Sequence, residues 1–229
     1  MGNGSTYLDT LLFAVLPYVA LVIFFLKTIE RYRQQPFSFS SLSSQFLENE
    51  QHFWAVVPFH FGIIVVLTGH VVAFLLPRTL LWWNQVPLRL YILEASALVF
   101  GLLTLIGILG VVLRRSSHSK VRKVTSRADW ILYALLIFQV ASGVYVAIFH
   151  PWGSSWFASA LTPYLWSIVK LNPLVTTMVG LPLAVKLHVV NLWLVLAFFP
   201  FTRLVHILVI PNMYLWRKPQ VVRWYRRPI

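Results

Sequence analysis

Five stretches of this chain are almost free of charge, and each is about as long as a helix that crosses a bilayer. That feature leaves the fold little freedom. A spanning helix needs about 20 mostly apolar residues, because a rise of about 1.5 Å per residue must cover about 30 Å of hydrocarbon. The stretches lie near 7–26, 53–76, 90–113, 129–149 and 183–210, numbered here segments I to V. Only 11% of the 229 residues are charged and 59% are hydrophobic, whereas a soluble domain carries about a quarter charged residues. The expectation is an all-α membrane protein with five transmembrane helices, one domain over 1–229, without an appended soluble module. Segment I lacks the basic start and small-residue cleavage site of a signal peptide; Lys27 and Arg31 follow it instead. The serine-rich stretch Pro36–Gln51, with Glu48 and Glu50, reads as a polar loop with room for an interfacial helix. Residues 151–182 are aromatic and broken by Pro and Gly, and read as short helices lying at the far surface.

The net charge of +13 invites a nucleic-acid reading, but where the charges fall argues against one. Fifteen of the nineteen Lys and Arg flank the I–II loop, the III–IV loop and the end of segment V with its tail. The III–IV loop alone carries Arg114, Arg115, Lys120, Arg122, Lys123 and Arg127, and the tail Arg217, Lys218, Arg223, Arg226 and Arg227. Only Arg78, Arg89, Lys170 and Lys186 lie on the other side. Basic loops stay in the cytoplasm, so the N-terminus is expected outside and the C-terminus inside.

The chain has no cysteine, which removes disulfides, iron–sulfur clusters, thiolate zinc sites and covalent haem attachment. Of its seven histidines, His118 falls in the basic loop, and His52 and His150 at segment ends. The other four lie inside spans, where ionisable groups are costly and mark function. His60 and His70 are on segment II; His188 and His206 are on segment V. The segments run in opposite directions, so His60 shares a depth with His206 and His70 with His188. Two histidines on facing helices at one depth form an axial pair for haem iron. The eighteen residues from His188 to His206 make five turns at about 100° per residue, so both face one way. His60 and His70 fall about 80° short of a common face, and the rises differ, roughly 15 Å on II against 27 Å on V. A kink at Pro200 is one way to absorb that mismatch. Gly62 and Gly69 on II, Gly101 and Gly107 on III, and Ser142–Gly143 on IV leave room for a macrocycle, although close helix packing uses the same residues. A histidine proton relay competes with haem, but acids are scarce in the spans beyond Glu94.

At these residues the chain resembles the gamma subunits of respiratory nitrate reductases, di-haem b-type cytochromes of the membrane. The likeness is carried by Phe199-Pro200-Phe201-Thr202-Arg203-Leu204-Val205-His206 and continues through Pro211, Tyr214, Leu215, Arg217 and Lys218. Ser43-Ser44-Gln45, the His60/His70 spacing with Gly69, the basic loop before Ala128-Asp129, and Leu187-His188 also follow the pattern. The resemblance implies two haems b, held by His60/His206 near the cytoplasm and by His70/His188 with Gly69 near the outside. It implies a quinol site beside the outer haem, where Arg89 stands at the family's usual lysine, and a departure in Glu94. It also implies a molybdenum-containing catalytic subunit and an iron–sulfur subunit on the cytoplasmic face. The chain would then be the quinol-oxidising subunit of a complex in the cytoplasmic membrane, with no nitrate chemistry of its own. A related di-haem anchor, of a nitrite-oxidising, selenate-type or heterodisulfide-reductase-like complex, and a proton-coupled transporter stand as alternatives.

Overall fold

The computed structural model describes residues 7–39, 47 and 50–209, and these are helical with connecting turns. Five helices are long and apolar enough to cross a membrane. They comprise α1 (Tyr7–Gln34), α2 (Glu50–Leu75), α4 (Pro87–Ser117), α6 (Arg127–Phe149) and α10 (Leu183–Phe198). Short helices link them: α3 (Pro77–Trp83), α5 (Ser119–Lys123), α7 (Gly153–Trp156), α8 (Thr162–Val169) and α9 (Thr176–Val179). Expected Ser43-Ser44-Gln45 and the tail from Pro211 to Arg227 lie outside the described residues.

Local chemistry sets the ends. Ser126 and Asp129 form a reciprocal capping box that starts α6, and Pro87 opens α4 where its missing N–H is not needed. Helix α1 runs on to Gln34 rather than stopping near 26; its last turns carry Lys27, Glu30, Arg31 and Arg33 as a polar extension. Packing proceeds in order: α2 against α4, α4 against α6, α6 against α10, and α10 against α1. The histidine-bearing α2 and α10 are thus not packed along one another among the described residues.

Close approach of α2 and α4 depends on glycine. A Cβ at Gly107 would lie 2.6 Å from the Phe59 Cα, and one at Gly62 would lie 2.8 Å from the Phe100 carbonyl oxygen. Gly62 and Gly107 therefore serve helix packing and leave no space for a macrocycle. Gly101 makes an ordinary 3.4 Å contact with Val144.

The segment expected as short helices at the far surface does form the short helices α7 to α9, and these pack into the core. Leu161, Tyr164, Ile168, Val175 and Met178 are buried with Phe13, Ala20, Val185, Val189 and Trp193. The backbone explains why. Pro17 cannot donate to the carbonyl of Phe13, and a π turn spans Leu11–Val15; the buried Tyr164 hydroxyl supplies the missing donor at 2.9 Å. Burial pushes that hydroxyl's pKa up, which keeps it a donor. Pro77 likewise leaves Ala73 O without its helical partner, and Thr162 Oγ1 donates to it at 3.3 Å. Trp166 stacks on Phe74, with centroids 4.9 Å apart, and donates to the Phe74 carbonyl.

Segment V departs most from expectation. It is not one helix to residue 210. Helix α10 ends at Phe198, a 3-10 turn covers Phe199–Phe201, Thr202 is extended at φ −120° and ψ −179°, and a second 3-10 run covers Arg203–Val209. The five-turn argument for His188 and His206 therefore fails, because they are on separate pieces. Proline at 200 removes an N–H and stops the ladder, and the turn after it re-aims the chain.

Candidate functional site

His60 and His206 come together despite lying on different elements. Their ring centroids are 6.3 Å apart and the ring planes are inclined by 60°. A metal-bound imidazole nitrogen sits about 2 Å from its ion and about 1 Å from its ring centre, so two rings on one ion have centres about 6 Å apart. The observed spacing matches that arrangement.

The hydrogen bonds of the rings have the same meaning. His60 Nδ1 lies 2.9 Å from Val56 O, and His70 Nδ1 lies 2.8 Å from Val66 O, each one turn back on α2. His206 Nδ1 contacts Arg203 O. Carbonyls only accept, so Nδ1 must carry the proton and Nε2 keeps the lone pair a metal needs.

His188 is served differently, by side chains of α6. Ser142 Oγ lies 2.9 Å from its Nδ1, and Gln139 Nε2 lies 3.1 Å from Nε2 and 3.4 Å from Nδ1. Ser142 donates to Gln139 O, which leaves its oxygen to accept from Nδ1–H. Asn191, buried on α10, donates to Gln139 Oε1 at 2.7 Å and to Leu135 O. Gly143 gives the ring its room, since a Cβ there would lie 3.0 Å from His188 Cε1. His70 and His188 are near enough to interact electrostatically, and Phe157 packs edge-on against His70 at 5.3 Å. A Cβ at Gly69, one residue from His70, would meet no protein atom within 4 Å.

Among the described residues no three His, Asp or Glu side chains gather to hold an ion. Paired histidines with two protein ligands per ion suit a group that brings its own equatorial donors, as haem does. The His60/His206 donor set thus fits haem better than a zinc or calcium site, which needs more ligands from the chain.

The break in segment V is pinned from two sides. Arg31 of α1 donates from Nη1 to Pro200 O at 2.6 Å and to Thr202 O at 2.9 Å. Arg203 makes a two-pronged ion pair with Asp129, Nε to Oδ1 at 2.6 Å and Nη2 to Oδ2 at 2.8 Å, and Nη2 reaches Val124 O. In the sequence Arg31 is marked only as a topology charge, and Arg203 as a topology charge and a position of the Phe199–His206 motif, neither as a tie on the break.

At the opposite end, Arg89 stands in the first turn of α4 with its guanidinium carbon 5.1 Å from the Trp83 ring centre and 5.6 Å from that of Trp82. Glu94 accepts from the Ser154 N–H at 2.8 Å and from its hydroxyl at 2.6 Å, while Asn84 donates to Ser154 and Ser155. Glu94 thereby ties α4 to the start of α7 as a structural acceptor.

Residues 9–225 match the family model described as nitrate reductase gamma subunit. The nitrate reductase gamma chain of Bacillus subtilis (strain 168) is 32% identical over 217 residues, spanning 93% of this chain and 97% of its own. The respiratory nitrate reductase 2 and 1 gamma chains of Escherichia coli (strain K12) are 31% and 30% identical over 229 and 230 residues. Each alignment covers 95% of this chain, with 97% and 98% of the respective relative. With five helices long and apolar enough to cross a membrane and a match of this extent, the chain belongs to the nitrate reductase gamma subunit family.

Proposed function

We propose that this protein is the membrane subunit of a quinol-oxidising nitrate reductase, carrying electrons across the bilayer through two b haems. The 6.3 Å approach of His60 and His206, with Nδ1 of each turned to a carbonyl, is the observation that carries this reading. His60 and His206 would hold one haem at the basic, cytoplasmic end. His70 and His188 would hold the other near the outer face, with Gly69 leaving room beside it. Haem supplies one-electron transfer there. The chain's own work is to fix the imidazole tautomers, exclude water and set the polarity around each ring. Moving an electron inward against the potential costs about 2.3 kcal/mol at 100 mV, so this arrangement stores energy. The basic end faces a molybdenum-containing catalytic subunit and an iron–sulfur subunit, in the cytoplasmic membrane.

Pyridine haemochrome assay of the purified complex tests this: two non-covalent haems b per chain are expected, both reducible by quinol. His60→Ala and His206→Ala should abolish the same spectral component, and His70→Ala and His188→Ala the other. One haem per chain, or His60→Ala and His188→Ala depleting one component, would overturn the pairing.

Arg89 is assigned to the quinol site on the family pattern. A cation at the interface stabilises the negative charge developing on a quinol oxygen as its proton leaves. The two tryptophans favour a second reading, in which Arg89 only anchors α4 at the headgroups, since both are exposed interfacial aromatics. Arg89→Ala should slow haem reduction by quinol at least about tenfold, the loss of one charged contact, with dithionite reduction unchanged. Normal quinol oxidation in the assembled variant complex would leave the anchor reading.

A further inference from the structure

We propose that Arg31 is a positioning residue for the His206 ligand, holding the break in segment V at the bend that presents His206 to His60. The proposal rests on the reading of His206 as a haem ligand and adds a residue that the histidine pattern does not reveal.

Buried backbone must find partners for its polar groups, and the broken helix at the buried Pro200 and Thr202 exposes several. In an unbroken helix the Leu204 N–H would donate to Pro200 O. Here it donates to Thr202 Oγ1 at 3.1 Å, and Arg31 Nη1 serves Pro200 O instead. The same nitrogen serves Thr202 O, so one guanidinium edge spans both ends of the break. The other donors point away: Nε to Ser38 Oγ at 2.8 Å and Nη2 to Ser38 O at 2.9 Å. Ser38 is set by its own bond to Gln35 O, and the Phe39 ring lies 5.7 Å from the guanidinium carbon. The turn after α1 therefore cradles Arg31 and aims it at segment V.

Four hydrogen bonds in two opposed directions need a planar fork. Lysine offers the same charge from one point and cannot bridge Ser38 and the break together. Arg31→Lys thus separates positioning from topology, since a cytoplasmic cation is kept. His206 follows Thr202 by one short turn, and its ring leans on Arg203 O, so a shift of the break moves the ligand directly.

The test uses the complete complex, with ferric low-spin haem signals resolved by electron paramagnetic resonance and assigned by loss in His206→Ala. In Arg31→Lys the His206 component should shift in g-value and lose its haem to apomyoglobin about tenfold faster, the equivalent of one charged hydrogen bond. The His188 component should stay as in the wild type. Wild-type signals and loss rates for both components would overturn the proposal, and would support a topology role alone. Where Arg31→Lys does not assemble, Ser38→Ala keeps Arg31 and removes the Oγ acceptor of its Nε, together with the Oγ bond to Gln35 O. It should shift the same component with about threefold faster loss, and an unchanged signal there also overturns the clamp. A wild-type complex without two haems would instead sink the ligand reading itself.

Discussion

The two histidines of segment V are held by opposite means, although His60 and His70 on α2 both turn Nδ1 to a main-chain carbonyl one turn back. Near α7 and α8, His188 rides on the continuous helix α10, and its ring is addressed by the side chains of Ser142 and Gln139. At the basic end, His206 rides on a short 3-10 run beyond a break, and its ring is addressed by main chain. The first arrangement has a rigid carrier and adjustable partners. The second has a fixed partner and a carrier that must itself be held, which is the work of Arg31 and of the Arg203–Asp129 pair. The contrast teaches that the setting of the His188 ring is a matter of side-chain chemistry, and that of the His206 ring a matter of where the backbone is tied.

The largest effect that breaks this comparison should come from Asp129. It is 3% exposed, accepts two hydrogen bonds from Arg203, and caps α6 through Ser126. Removing one partner of a buried ion pair costs roughly 3–5 kcal/mol, and losing the capping box adds about 1 kcal/mol. Asp129→Ala should lower the thermal stability of the complex and deplete the His206 component first. Equal loss of both haem signals would show that the pair stabilises the whole bundle and no particular end.

A middle-sized effect sharpens it. Gly107 lies on α4 and Gly69 on α2, and a Cβ meets Phe59 backbone at the first and no protein atom within 4 Å at the second. Gly107→Ala should separate α2 from α4 beside His60 and destabilise the apo and loaded chain alike, by roughly 1–3 kcal/mol of overpacking. Gly69→Ala should leave the stability of the haem-free chain unchanged and weaken only the His70 component. Equal stability losses in haem-free chains would mean that Gly69 serves packing too.

Much of this was legible in the sequence, and the remainder was hidden for physical reasons. Spans are written in long apolar runs, and the intramembrane histidines stand out because burying them is costly. Pro200 announces a disturbance, but a proline states only that a ladder stops, never the direction in which the chain restarts. Arg31 and Pro200 are 169 positions apart, so their bond leaves no trace in local pattern, and Arg31 is indistinguishable from any other topology charge. Residues 151–182 looked superficial because Pro and Gly break their periodicity. They are core because Tyr164 and Thr162 answer carbonyls that Pro17 and Pro77 cannot. Gly62 and Gly107 read the same for packing as for a macrocycle until the neighbouring helix is in place.

The smallest predicted effect tests the far end. Ser142 Oγ is placed to accept from His188 Nδ1–H while donating to Gln139 O. An acceptor at Nδ1 raises the basicity of the imidazole, which would favour the ferric form of a haem iron held there. Ser142→Ala keeps the helix and removes only that acceptor, so the ferric form should lose some advantage. A neutral hydrogen bond has a net worth of roughly 0.5–1.4 kcal/mol, which for one electron is about 20–60 mV. The His188 haem should therefore titrate at a higher potential by up to that amount, with the His206 haem unmoved. Ser142→Thr, which keeps the hydroxyl, should restore most of the shift. No such substitution exists at the other end, because the acceptor of His206 is a carbonyl that every residue carries. An unmoved potential in a fully loaded Ser142→Ala complex would mean that both ends rely on fixed acceptors, and the distinction between them would fall.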